Sequence, residues 1–321
     1  GAGVQLAAVI ALTRPARASA LEFHRLGPLG KTVASRVPEE SRDFGNEAFL
    51  RRAYSRGDGV IRLQEGALQR YIFASFPRKD LIHGLFTRHG GYSQSPFASL
   101  NVGYSVEDAP EHVVANHQAI YSALEIEGGD VVDAQQVHGA RVTAVTADDG
   151  GKTMEKTDAF ISDTPGLMLM MRVADCVPVF FYAAQPPAVG LAHAGWRGTL
   201  KGVASKTARA MASAFGCRAE DLVVGLGPSI GPCCYEIGPE VVAQVREVFG
   251  AQADDLLSPA TGEGKAHFDL WRANALQLRE VGVKQVETAG ICTCCHRDEF
   301  YSHRGEGGRT GRLAALIGLT R

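Results

Sequence analysis

The stretch "LMLMMRVADCVPVFFYA", residues 167–183, decides how the chain is read. Its apolar residues fit a protein core, and "LMLMMRV" and "VPVFFYA" read as two strands. Between them stand Asp175 and Cys176. A carboxylate placed there is costly unless it is paired or takes part in chemistry. Its company has to come from elsewhere in the chain.

Upstream, "YIFASF" and "LIHGLF" read as short strands, and "TRHGGYSQSPFASLNVG" as a long Gly/Ser/Asn loop. "APEHVVANHQAIYSAL" carries apolar residues at helical spacing and opens with Pro110. "VVDAQQVHGARVTAV" reads as two strands broken at His138-Gly139, and "DAFISD" as another. "AVGLAHA" is a strand of buried type that runs into "GWRG". After it, Leu200, Val203, Ala204, Ala208, Met211 and Phe215 share one face of a single helix. Further on, the sequence predicts a helix over 239–249 with Pro239 in its first turn. A helix capped by Asp269 and ended by Gly282 follows, then a strand at "QVETAG". Many strands, few helices and no strict βαβ rhythm predict an α+β fold, a single mixed-sheet domain with flanking helices.

The character of the chain changes near Arg70. Residues 1–69 are therefore expected to form a poorly ordered N-terminal extension and residues 70–321 the folded domain. A formal net charge of −2 gives no electrostatic footprint for nucleic acid. No apolar run reaches the roughly 18 residues of a membrane-spanning helix. Seven cysteines, several of them adjacent, suit a reduced, cytoplasmic compartment better than a disulfide framework. Cys233-Cys234 and "CTCC" at 292–295 invite a metal or redox reading. They are read as structural rather than as a zinc ribbon.

Three residues at strand ends carry stronger chemistry: His138 in "QQVHGA", Cys176 in "VADCVP" and His193 in "LAHAGWRG". Two imidazoles and a thiolate make three ligands for Zn²⁺ with a fourth position open. Asp175 then holds a ligand or a neighbouring donor in place. Against this, a buried Cys in an apolar run often serves as a small core hydrophobe, and the spacing is too wide for a compact metal signature. Arg197 and Gly198, just before the first turn of the predicted helix, offer an anion site. Arg88 and Ser93 read as the polar wall of a pocket, and His303 and Arg304 as further substrate contacts.

Six blocks occur here in one order: "GLFTRHGGYSQSPFASLNVG", "QQVHG", "ADCVPVFFY", "LAHAGWRGTL", "GPSIGPCCYEIG" and the closing "CT…FYSHRG…TGR". Residues 70–321 thereby resemble the YfiH-type laccase-domain family, also labelled multicopper polyphenol oxidase and peptidoglycan editing factor. The resemblance implies a fold related to the catalytic domain of cytotoxic necrotizing factor toxins. It places the metal trio on His138, Cys176 and His193, with Zn²⁺ as the ion and Cu²⁺ as the other candidate. It implies phosphorolysis of adenosine, inosine and methylthioadenosine, together with adenosine deamination. On this reading Cys176, His193 and Asp175 are catalytic, and Arg88, Ser93, Arg197 and Arg304 bind nucleoside and phosphate. A second implied role is the removal of wrongly incorporated L-Ser muropeptide precursors. The corresponding alternative is a hydrolase of UDP-muropeptide precursors with Cys176 as nucleophile and His193 or His138 as its base. Cys292 is carried over as structural. The oligomeric state is left open. A trinuclear copper cluster needs paired His-x-His ligands, and the ten histidines include no such pair.

Overall fold

The structure, a computed structural model, describes the backbone of residues 53–56 and residues 59–321. The two halves of the 167–183 stretch enter different sheets. Met168–Val173 forms β9 and Val177–Ala184 forms β10, so Ala174–Cys176 is a corner between them. Asp175 turns that corner with φ +82°, a left-handed conformation that Asp tolerates better than most residues.

The larger sheet runs in the order β1 (Ala53–Arg56), β2 (Val60–Glu65), β3 (Leu68–Phe73), β4 (Leu81–Phe86), β17 (Leu313–Leu319), β9, β5 (Val131–Ala134) and β7 (Thr153–Met154). The second runs β16 (Gln285–Thr288), β12 (Val223–Leu226), β10, β11 (Pro187–Ala194), β8 (Ala159–Ser162) and β6 (Val142–Ala144). Each mixes parallel and antiparallel pairs. A small third sheet pairs β13 (Glu236–Ile237), β15 (Ala266–Phe268) and β14 (Leu257–Pro259).

The packing explains why the opening stretch shows no polar alternation. Leu169, Met171 and Val173 of β9 share one core with Phe180 of β10 and Leu191 of β11, so the two large sheets stack face to face. The other face of β9, through Met168 and Met170, packs on Ile120 and Leu124 of α1 (Pro110–Leu124). The other face of β10, through Val177, Val179 and Phe181, packs on three further helices. These are α3 (Val203–Phe215), α4 (Pro239–Phe249) and α5 (Leu270–Glu280), after the short α2 (Trp196–Leu200). Strands covered on both faces have no solvent side to mark with polar residues. Burying side chains as large as Phe180 and Phe181 stabilises the fold by about 1.5–3 kcal/mol each.

The α+β class with flanking helices holds, and its strands are divided among stacked mixed sheets. Two local expectations change. The helix expected to run unbroken to Phe215 is interrupted at Lys201-Gly202, where Gly202 takes φ +71° and starts α3 afresh. The expected boundary at residue 70 falls inside β3. The sheet continues upstream because Val60, Leu63 and Leu68 bury their side chains in the β2–β3 hairpin. The remainder of the expected extension, residues 1–52 with 57–58, lies outside the described residues. Among the described residues, no helix is long and apolar enough to cross a membrane.

His83 of β4 sits between the rings of Phe73, Phe76 and Phe180, and its Nε2 accepts the Phe73 N–H at 2.9 Å. Burial, aided by the Arg70 charge, lowers its pKa to about 3. Below about 6.5 the unfolded chain takes up a proton that the folded chain refuses. This contribution to stability is complete above that pH and shrinks by about 1.4 kcal/mol per unit as pH falls toward the folded value. The thermal unfolding midpoint should fall with acidification over that window. His83→Gln, which keeps an acceptor without the titration, should flatten the slope. Equal slopes in the two proteins contradict the assignment.

Candidate active site

The register of the second sheet brings distant residues to one of its ends. Antiparallel β10 and β11 pair Val177 with Ala194 and Pro178 with His193. Antiparallel β8 pairs Ala159 with Ala192 of β11. The start of β10 with Cys176, the end of β11 with His193 and the start of β8 with Asp158 therefore meet. His138 arrives from the loop between β5 and β6, in a left-handed conformation at φ +57°. One donor atom from each of His138, Cys176 and His193 lies within 4.8 Å of the others. The two imidazoles meet edge to face with centroids 4.8 Å apart. Gly195 leaves this space open: a Cβ there would come 2.8 Å from Cys176 Sγ and 3.1 Å from His138 Cδ2.

Asp158 holds the arrangement. Its Oδ1 accepts the His193 Nδ1–H at 2.9 Å and the His138 backbone N–H at 2.9 Å. Its Oδ2 accepts the N–H of Gly139 at 2.7 Å and of Val137 at 3.2 Å. The sequence reading passed over Asp158 as the first residue of a strand. The available signal was a carboxylate abutting an apolar strand, the same signal that singled out Asp175.

Burial alone would push the Asp158 carboxyl up, but the His193 hydrogen bond and the backbone N–H groups outweigh it and hold it below the ordinary carboxylate range. Burial likewise opposes ionisation of Cys176. The His193 charge and hydrogen bonds from both imidazoles overcome that and bring the thiol down to about 6. Against its own burial, His193 is raised to about 9 by the Cys176 charge and the Asp158 hydrogen bond. Both directions favour a thiolate beside an imidazolium. With Nδ1 engaged by Asp158, His193 presents Nε2 beside Cys176. A thiolate and two imidazoles at one point fit a borderline-soft divalent ion such as zinc.

A cavity of about 530 Å³ opens over the trio. Trp196, Tyr235 and Leu270 supply apolar wall, while Arg197, Arg304 and Arg312 bring guanidinium groups. Arg197 stacks on Trp196 at 4.3 Å, and Arg304 lies over Tyr235 at 5.4 Å with one Nη donating to the Glu236 carbonyl. Arg312 donates to the carbonyls of Thr310 and Gly311. Among the described residues, none of the three has a carboxylate partner. Sequence reasoning missed Arg312, Trp196 and Tyr235: each lies inside one of the quoted blocks, but nothing local shows that its side chain faces the cavity.

Two expected contacts lie elsewhere. The Arg88 guanidinium is consumed by the carbonyls of Ala98 and Arg297 and by Glu306, and stacks on Tyr301. Ser93 donates to Asp108 and accepts from Asn116. Both brace the loop after β4 and neither lines the cavity. Arg197 falls inside the first turn of α2, which has only five residues, so its guanidinium and not a helix end is the available anion group. Asp175 lines the cavity floor. Its carboxylate accepts from Thr293 Oγ1 at 2.7 Å and from the Arg304 backbone N–H at 2.7 Å, so both of its oxygens are engaged by the protein.

Residues 82–320 match the family described as Multi-copper polyphenol oxidoreductase laccase. The purine nucleoside phosphorylase YlmD of Geobacillus stearothermophilus is 38% identical over 251 residues, which cover 75% of this chain and 91% of that protein. The purine nucleoside phosphorylase YfiH of Escherichia coli is 35% identical over 234 residues, covering 73% and 91%. The crystal structure of YlmD from Geobacillus stearothermophilus superimposes with a TM-score of 0.74 at 34% identity, over 85% of this chain and all of that one.

Asp158→Asn keeps acceptor capacity but removes the charge that orients His193. Losing such an outer partner weakens metal binding by about 10–100-fold. Competition with a chelator for zinc should show that loss in Asp158→Asn. An unchanged affinity contradicts the role given to this carboxylate.

Proposed function

The chain belongs to the multi-copper polyphenol oxidoreductase laccase family, and from that premise and its site we propose that it is a purine nucleoside phosphorylase. The observation that carries the reading is the placement, in one cavity with the His138–Cys176–His193 trio, of three guanidinium groups that have no carboxylate partner among the described residues. Burial lowers the pKa of Arg312, with the nearby Cys176 and Asp175 charges opposing, so a bound anion would offset a standing desolvation cost. Phosphate is such an anion. A phosphate oxygen bonds to ribose C1′ as the bond from C1′ to the purine nitrogen breaks. The electron pair leaves with the base, which takes up a proton. Guanidinium groups fixed around the phosphate hold the nucleophile in place and stabilise charge shared between phosphate and purine. Trp196, Tyr235 and Leu270 offer faces for the nucleoside.

His138, Cys176 and His193 would hold zinc. Held there, zinc supplies Lewis acidity and lowers the pKa of a bound water, the chemistry that adenosine deamination requires. Adenosine, inosine and methylthioadenosine are the proposed substrates. Oxidation of phenols at a multicopper centre fits the residues poorly. Among the described residues, no second group of histidines accompanies the trio.

One observation favours a second reading. Asp158, His193 and Cys176 form a carboxylate–imidazole–thiolate series, the arrangement of a cysteine nucleophile with an oriented base. The corresponding reaction is amide hydrolysis of a muropeptide precursor. Strong chelators should abolish a zinc-dependent activity, whereas alkylation of the metal-free protein should abolish a thiol-dependent one.

Cys176→Ala and His193→Ala should each lose phosphate-dependent release of hypoxanthine from inosine while circular dichroism shows a folded protein. Wild-type rates in either variant contradict the proposal. Arg197→Ala and Arg312→Ala should raise the phosphate KM or lower kcat, and unchanged phosphate kinetics remove these residues from the phosphate site.

A further inference from the structure

A second group of metal-ligating side chains lies on loops beside the cavity and takes no part in the chemistry above. Cys233, Cys234, Cys292 and Cys295 each offer an Sγ, and all four atoms lie within 4.8 Å of one another. Cys295 Sγ is 3.6 Å from Cys233 Sγ and 3.4 Å from Cys234 Sγ. A disulfide would bring two sulfurs to about 2.05 Å. Four sulfurs at about 2.3 Å from a tetrahedral zinc stand about 3.8 Å from one another. Both separations are far too long for a disulfide and lie close to that of a four-thiolate site.

The local fold explains the convergence. Ser229 and Cys292 form an isolated parallel bridge, with Ser229 N–H donating to the Ile291 carbonyl and Thr293 N–H to the Ser229 carbonyl. Just beyond the bridge each segment turns. Cys234 N–H and Tyr235 N–H both donate to the Gly231 carbonyl, and His296 N–H donates to the Cys292 carbonyl. The first turn presents Cys233 and Cys234. The second presents Cys292 and Cys295, which have two residues between them as in one half of a zinc ribbon. The Gly231 N–H points at Cys292 Sγ at 3.2 Å, a donor that favours the thiolate. Cys292 is buried, while Cys233 and Cys295 reach the surface and give an ion a way in.

We infer that these four cysteines bind a zinc ion as a closed four-thiolate site that fastens the Ser229–Tyr235 loop to the Ile291–His296 loop. An all-sulfur set with no carboxylate or imidazole selects a soft or borderline ion. Such a site has no open position for substrate and acts through the fold. The loops it joins matter to the cavity. Ile230 and Tyr235 line it, Ile230 N–H donates to the Asp175 carbonyl, and Thr293 holds the Asp175 carboxylate. The site is independent of the phosphorylase reading, because its donors and geometry stand whatever the cavity binds.

The test is zinc content of full-length protein purified under reducing conditions without chelator. Wild type should carry about two zinc ions per chain, one per donor set. Cys233→Ser/Cys295→Ser should lose one and keep the other, and Cys176→Ala should lose the complementary one. Retention of the trio's zinc by the double variant shows that it is folded. Cobalt(II) added to metal-free Cys176→Ala should give the intense sulfur-to-metal absorption of a tetrahedral thiolate site. If the double variant is insoluble, titrating the exposed thiols of native wild type with an organomercurial should release about one zinc per chain to a chromogenic chelator. Equal zinc in wild type and double variant, no zinc released on thiol modification, or a disulfide among these cysteines in fresh protein would overturn the inference.

Discussion

The Asp158 carboxylate, fully buried at the start of β8, receives the His193 Nδ1–H and three consecutive backbone N–H groups from Val137 to Gly139. A charge in such a place is strongly disfavoured unless donors surround it, and four donors surround this one. The consequence reaches both histidines. One imidazole is oriented by direct contact, and the other is carried by a loop whose backbone is fixed to the same oxygens. Replacement of this carboxylate by an apolar group would release both at once. The strained positions of the site, His138 and Asp175 at positive φ, lie where this polar scaffold meets the ends of buried strands.

The architecture supplies the other half of the constraint. With the second sheet covered by helices on one face and by the first sheet on the other, working side chains are confined to its ends. Cys176 occupies the corner at which the chain leaves one sheet for the other. The adjacent Asp175 lies there for the same reason: a crossing needs an unusual backbone, and the carboxylate then pins Thr293 and Arg304 against the cavity.

Much of this was legible in the residues. The apolar runs at 168–173 and 177–184 identify strands, and Pro110, Pro239 and Asp269 mark helix starts that the structure bears out. Legibility ends where the information is not local. Nothing near Arg88 reveals that its guanidinium is taken up by Arg297 and Glu306, more than two hundred residues away. Arg312 enters the cavity only because β17 lies beside β9 at the centre of the larger sheet. The four cysteines become a cluster only once Ser229 and Cys292 are paired. The family's name speaks of several copper ions, whereas among the described residues two histidines and a cysteine assemble one three-donor site, and the cavity above it is lined by guanidinium groups.

The central claim is that His138, Cys176 and His193 share one cation and leave it a position for substrate. Anomalous diffraction at the zinc edge, from crystals of freshly purified protein, tests this directly. The account predicts a peak about 2.0–2.3 Å from one donor atom of each residue, with no fourth protein ligand. A fourth protein ligand closing that site, or zinc bound only away from these three side chains, would contradict it.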